Sequence, residues 1–175
     1  MNLLLIEIII DIFFIILTGI MIILLSYGVY SFHVGAPFVP TGKKNVNAML
    51  EMAELKDGET MLDLGSGDGR IVLASAKTGA HCIGIEINPI LHTLAKIKSF
   101  YKRAKNVEFV RSNLWNYNLS KIDIMFLYFI PDKMERLNKK IISEMKPGSR
   151  IVSHGFTFPN WPYSKKSGNI YLYIV

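Results

Sequence analysis

The stretch TMLDLGSGDGRI (residues 60–71) carries an apolar run with an acid, Asp63, near its end, then glycines at 65, 67 and 69. A chain this bare lets backbone N–H groups approach a ligand closely, and an acid at a strand tip can accept from an ammonium or order a water on it. A second acid, Glu86, lies near the end of the next apolar run, HCIGIEI, with Ile87 directly after it. An acid in that place takes both hydroxyls of a ribose as a bidentate acceptor. Ser112-Asn113-Leu114 follows a third run, NVEFV, where a side-chain amide can read the amino edge of an adenine.

These needs discriminate among nucleotide ligands. A dinucleotide loop reads G-x-G-x-x-G or A. Gly65 and Gly67 fit that pattern, but Arg70 stands at the sixth place, where the helix must pack close to the strand. No G-x-x-x-x-G-K-[ST] loop occurs either, which argues against a nucleoside triphosphate. S-adenosylmethionine fits better, with a zwitterionic amino-acid end, a ribose, an adenine and no pyrophosphate. On this expectation Asp63 takes the ammonium. The N–H groups of Gly65, Ser66 and Gly67 suit the carboxylate, Glu86 and Ile87 the ribose, and Asn113 and Leu114 the adenine. No metal is expected: the single cysteine, Cys82, sits in an apolar run and reads as a buried free thiol, and no zinc spacing exists.

The elements that must position these residues follow from periodicity. NVNAMLEMAEL (45–55) places Val46, Met49, Leu50 and Ala53 at helical spacing. TMLDL is a strand, and GRIVLASAKTG a helix with Asp68 as N-cap and Gly79 near its end. HCIGIEI, NVEFV, KIDIMFLYF, SRIVSH and NIYLYIV are further strands. Asn88-Pro89 starts a helix running to about Ala104, and Pro131 starts another that ends at the Lys146-Pro147-Gly148 turn. Strand and helix in alternation predict an α/β fold, a Rossmann-like, doubly wound and mostly parallel sheet. Its ligand site lies at the carboxyl ends of the strands, where the glycines fall.

The first thirty residues stand apart. Ile12 to Tyr30 carry no charge, and as a helix at about 1.5 Å per residue they extend for about 28 Å, the thickness of a bilayer core. No Lys or Arg precedes residue 43, so the basic front end of a signal peptide is missing. Residues 1–31 therefore read as one transmembrane helix, 32–42 as a linker and cofactor-covering segment, and 43–175 as the catalytic domain. Lys43 and Lys44 just after the span predict a single-pass protein with its N-terminus outside and its domain in the cytoplasm, or on the matrix side of an organelle. The net charge of +6 meets an anionic lipid surface most simply, and no nucleic-acid partner is expected. Read in this way, the helix is an anchor alone, and its loss leaves cofactor binding intact.

The glycine block resembles that of class I S-adenosylmethionine-dependent methyltransferases. More narrowly, PFVPT (37–41), LDLGSGDGRIVLASAK (62–77), GIEINP (84–89), MKPGSRIVSHGF (145–156) and YLYIV (171–175) resemble the archaeal protein lysine methyltransferases and the ATP synthase c-subunit lysine methyltransferase family. The resemblance implies transfer of methyl groups to lysine side chains of a protein, and a PFVPT stretch folded over the cofactor with Thr41 at its amino-acid end. Two features depart from it. GFTFPNWPYSKKSG (155–168) is short, which leaves the sixth strand missing or vestigial. The fourth strand ends in LYFIP, onto which no catalytic residue of the family maps.

A lysine nucleophile, with a pKa of about 10.4, is neutral in only about one molecule in a few thousand at pH 7. An apolar slot that lowers its pKa can replace a general base. Tyr128 and Phe129, at the tip of the fourth strand, and His154 and Phe156, after the fifth, are the candidate catalytic walls. Trp161 and Tyr163 read either as the entrance or as interfacial aromatics. The competing functions are methylation of a lipid head group, a quinone or another small molecule, and a non-catalytic cofactor-binding module. Nucleobase amine methylation is disfavoured by the lack of a [DN]-P-P-[FYW] signature at the fourth strand.

Overall fold

The structure, a computed structural model, describes residues 3–34 and 38–175. Residues 1, 2 and 35–37 lie outside it, so the linker and the PFVPT stretch are seen only in part. In chain order the elements are α1 (Leu3–Val34), α2 (Lys43–Ala53), β1 (Thr60–Leu64), α3 (Arg70–Ser75), β2 (His81–Glu86), α4 (Pro89–Lys102), β3 (Val107–Arg111), β4 (Ile124–Leu127), α5 (Pro131–Glu144), β5 (Arg150–His154), β6 (Lys165–Ser167) and β7 (Ile170–Ile174). The seven-stranded sheet has the order β3-β2-β1-β4-β5-β7-β6. Its first five strands are parallel, and β7 and β6 close the edge antiparallel. The chain reverses direction beside β1, which makes the carboxyl ends of β1, β2 and β4 the crevice of the fold.

Each face of the sheet buries its own cluster. Val46, Met49 and Met52 of α2 and Ile71 and Val72 of α3 pack with Met61, Cys82, Ile124 and Phe126. On the other face Met134, Leu137 and Ile141 of α5 pack with Leu62, Leu64, Ile83 and Met125. The central strands are buried on both sides, which is why TMLDL and IMFL read as unbroken apolar runs.

The sixth strand is present but only three residues long, so the short 155–168 stretch still completes the antiparallel edge. Trp161 packs on Phe158 and Tyr173 at ring distances of 5.2 and 5.4 Å, and Tyr163 on Tyr171 at 5.4 Å. These aromatics pack on side chains of β7. Asp68 does not cap α3: the cap position is Gly69, with no side-chain bond to the helix. Asn88 does cap α4, accepting from the N–H groups of Ile90 and Leu91 at 2.9 and 3.3 Å.

Helix α1 continues to Val34, three residues beyond the expected boundary at residue 31. It is apolar on all sides and, by length and composition, long enough to cross a membrane. Its last turn does not hang free. Ser31 and Val34 are buried against the domain, and Val34 joins the cluster of Ile85, Leu114 and Phe129.

Capping residues contribute about 1 kcal/mol each. The Asn88→Ala variant should therefore melt about 2–4 °C below the parent in a thermal scan followed by circular dichroism. An unchanged melting temperature would show that the Asn88 cap adds nothing to the fold.

Candidate active site

Strand β1 and the turn after it build the floor. The N–H groups of Gly65 and Ser66 both donate to the carbonyl of Ile85, at 3.1 and 2.8 Å, so the turn crosses the end of β2. Gly67 then has φ +53°, and a Cβ on it would lie 2.7 Å from Cε2 of Phe38. A side chain is excluded there on both counts.

Two clefts open on either side of this turn, and Gly65 lines both. The first is bounded by Phe38 to Thr41, Asp63, Ser66, Gly67, Asp68 and Tyr128, among others. The second is bounded by Glu86, Ile87, Ser112, Leu114, Ser31 and Val34, among others. Thr41, Asp63, Gly65, Ser66 and Gly67 thus meet on one side, and Glu86, Ile87 and Leu114 on the other. Asn113 is not brought to either cleft; its Oδ1 accepts from the N–H of Trp115 at 3.0 Å and caps a 3-10 turn over Leu114–Asn116. An Asn after a strand reads equally well as a ligand or as a cap, and here it makes the local backbone bond.

The electrostatics suit a cation beside a ribose. Burial, then repulsion from Glu86 and Asp68, pushes the Asp63 carboxyl up to about 8. Burial also raises Glu86, opposed by backbone N–H groups. Gly67 donates to its Oε2 at 2.9 Å and Asn88 to its Oε1 at 2.8 Å, so each oxygen keeps a lone pair for a hydroxyl. Ser66 Oγ is buried without a partner among the described residues. Asp68 behaves differently. Burial disfavours its charge, but hydrogen bonds from Arg70 and Lys98 and their charges outweigh burial and hold it at about 2.

Arg70, out of place by the dinucleotide pattern, is a clamp. It grips Asp68 through Nε and Nη2 at 2.8 and 2.9 Å and donates from Nη1 to the carbonyl of Thr41 at 3.0 Å. That bond ties the segment covering the first cleft to the start of α3. The cleft's arginine is therefore already engaged, and the free groups are carboxylates. Asp63, the unpaired acid of this cleft, ionises readily only with a cation beside it, which fits the ammonium end of S-adenosylmethionine.

The aromatic candidates divide. Tyr128 lines the first cleft, with its ring 5.2 Å from His154 and 5.8 Å from Phe156. Gly155 has φ +89°, and a Cβ on it would sit 3.0 Å from Cε2 of Tyr128, so the ring lies along its backbone. Phe129 points the other way; it is fully buried, 5.7 Å from the ring of Trp115, and belongs to the core. Burial lowers the pKa of His154, so it is neutral at pH 7. The side-chain nitrogens of Asn45 and Asn169 lie 3.1 and 3.2 Å from its Nε2. A carboxamide nitrogen only donates, so Nε2 is the acceptor, its one lone pair shared between the two, and Nδ1, buried without a partner among the described residues, keeps the proton. Neither Asn was legible as a site residue, because each comes from a distant element.

The profile of the ANTKMT methyltransferase domain matches residues 63–165. The chain is 32% identical to the ATP synthase c-subunit lysine N-methyltransferase of Rattus norvegicus over 75% of its own length and 61% of the relative's. It is 32% identical to a protein-lysine N-methyltransferase of Saccharolobus islandicus (strain REY15A) over 79% of its length and 93% of the relative's. Thus the chain spans somewhat under two thirds of the rat protein but nearly all of the archaeal one. A solved RNA methyltransferase from Salinibacter ruber, in complex with S-adenosyl-L-homocysteine, superposes with a TM-score of 0.75. It is 34% identical, with 78% of this chain and 93% of that one covered.

The Asp63 shift gives a testable sign. A carboxyl whose folded pKa lies above its unfolded value stabilises fully below pH 4, and that contribution is lost as pH rises toward 8. Asn cannot ionise and escapes this loss. Asp63→Asn should melt higher than the parent at pH 8–9 and alike at pH 4, while its affinity for S-adenosylhomocysteine falls about 10- to 100-fold. A variant melting like the parent at both pH values would show that Asp63 is not strained by burial. The acids at the tips of β1 and β2, the bare turn between them, the strand order and the matched residues 63–165 all lead to one conclusion: the chain belongs to the ANTKMT methyltransferase domain family, whose cofactor is S-adenosylmethionine.

Proposed function

We propose that the chain is a membrane-anchored protein-lysine N-methyltransferase. The observation that carries this reading is the aromatic group at the edge of the first cleft: Tyr128 lines the cleft, and Phe156 and the neutral His154 pack against its ring. A lysine amine entering there loses hydration, and its ammonium form is disfavoured beside the sulfonium. The neutral amine then attacks the sulfonium methyl in line: the N–C bond forms, the C–S bond breaks, and S-adenosylhomocysteine leaves with the electron pair on sulfur. The proton that the lysine ammonium lost before the attack has gone to solvent, and the positive charge of the sulfonium ends on the methylated amine. Tyr128 and Phe156 orient the amine and exclude water, and the neutral His154 adds no competing positive charge. The lysine methyltransferases among the relatives support the choice of nucleophile.

Helix α1 supplies the membrane part of the reading. It crosses the bilayer with its N-terminus outside, and Lys43 and Lys44 lie at the anionic inner surface, on the cytoplasmic or matrix side. The substrate is then a lysine of a membrane or membrane-bound protein, sought in two dimensions.

The test is incubation of membranes with S-adenosylmethionine labelled in its methyl group, followed by separation of protein, lipid and RNA. Label on lysine in protein is the expected result; label confined to lipid or to RNA overturns the reading. Tyr128→Ala should lower kcat/KM about 100-fold, and Tyr128→Phe should restore most of the rate.

A further inference from the structure

We propose that the last turn of α1 is a wall of the nucleoside half of the cofactor site, pinned there by Trp115, so that the apolar helix takes part in binding the cofactor. Ser31 and Val34 both line the second cleft, facing Glu86, Ile87, Ser112 and Leu114. They are the two residues of α1 that are buried, at 5% and 7% exposure. Their spacing of three places them on one face of the helix.

The docking has a defined pin. The last carbonyls of a helix lack partners within it. The carbonyl of Val34 receives the Trp115 indole Nε1–H at 2.9 Å. Trp115 is itself fixed: Arg136 lies over its ring at 4.0 Å and Phe129 meets it edge-on. It also directly follows Leu114, the residue lining the cleft opposite Val34. One side chain thus joins the helix end to the floor of the nucleoside pocket.

The path of the chain points the same way. Val34 and Phe38 stand four positions apart, one on each cleft. Each half of the site is covered by a segment tied down through a backbone carbonyl, Val34 by Trp115 and Thr41 by Arg70. Consequently, α1 is not an anchor that can be exchanged without effect. A nucleoside base seated against Leu114 and Ile87 has Val34 as its opposite contact, and Ser31 offers a hydroxyl beside the acid that takes the ribose.

Only the cofactor is involved, so the outcome is independent of the lysine substrate. Titration calorimetry on the full chain in detergent micelles tests this role with two probes, S-adenosylhomocysteine and 5′-methylthioadenosine. The second lacks the amino-acid end and reads the nucleoside half only. Val34→Trp should weaken both probes alike, by about tenfold or more. Trp115→Phe, which keeps the ring but removes the donor, should weaken both about fivefold. Asp63→Asn, by contrast, should weaken S-adenosylhomocysteine and spare methylthioadenosine. Ile16→Trp, on the exposed part of the helix, serves as control and should change neither. Should Val34→Trp fail to melt cooperatively, Val34→Ala and Trp115→Phe decide. Parental affinity for both probes in these variants overturns the proposal.

Discussion

Two acids must sit side by side at the tips of β1 and β2 with little water around them, and much of the structure answers that demand. Asp63 and Glu86 are 4% and 5% exposed, and their charges repel. Glu86 is relieved by backbone N–H donors from Gly67 and Asn88. Asp63 has no such relief and is driven toward its neutral form. A ligand carrying an ammonium at one end and vicinal hydroxyls at the other relieves both acids, whereas a phosphate would aggravate both. The selection of ligand therefore arises from an unfavourable feature of the free protein. Natural sites concentrate such tension where binding can release it.

The same demand explains the shape of the turn. Gly67 must present its N–H to Glu86 while the ring of Phe38 lies against its Cα. Only a residue without a side chain satisfies both conditions. Asp68 and Arg70, the charged residues within the loop, neutralise each other and leave the cleft to Asp63. Arg70 also fastens the carbonyl of Thr41, so the loop controls its own cover. A clamp that grips a backbone carbonyl tolerates varied side chains in the covering segment. Its geometry is set by the chain path alone.

Strand tips and helix starts were readable because local chemistry decides them. TMLDL is β1 residue for residue, and the cap-and-proline pair at Asn88-Pro89 opens α4 where its chemistry requires. Residues lost to sequence reasoning are those whose role depends on a distant partner. Asp68 reads as a cap until Arg70 and Lys98 are seen to claim it. Asn113 reads as a ligand, and its oxygen also accepts from the N–H of Trp115. Tyr128 and Phe129 directly follow β4, and only Tyr128 reaches the cleft while Phe129 is buried in the core. No periodicity in the sequence says which. Trp115, Asn45 and Asn169 gain their meaning only from tertiary contacts across the sheet.

On the lysine reading, the chemistry also limits what the slot can contain. The sulfonium is a fixed positive charge, and in a poorly solvated site a second positive charge within a few ångströms is strongly disfavoured. A protonated imidazole at His154 would help to expel the substrate's ammonium proton, but it would equally oppose approach of the amine and stabilise no developing charge. A carboxylate in its place would attract the ammonium and keep it protonated, which is the unreactive form. Neutral, apolar walls are the remaining choice. The burial that lowers the pKa of His154 and the carboxamides of Asn45 and Asn169 around Nε2 keep the ring in that state. On the same reading Asp63, which lines the first cleft together with Tyr128, meets the amino-acid end of the cofactor and not the nucleophile.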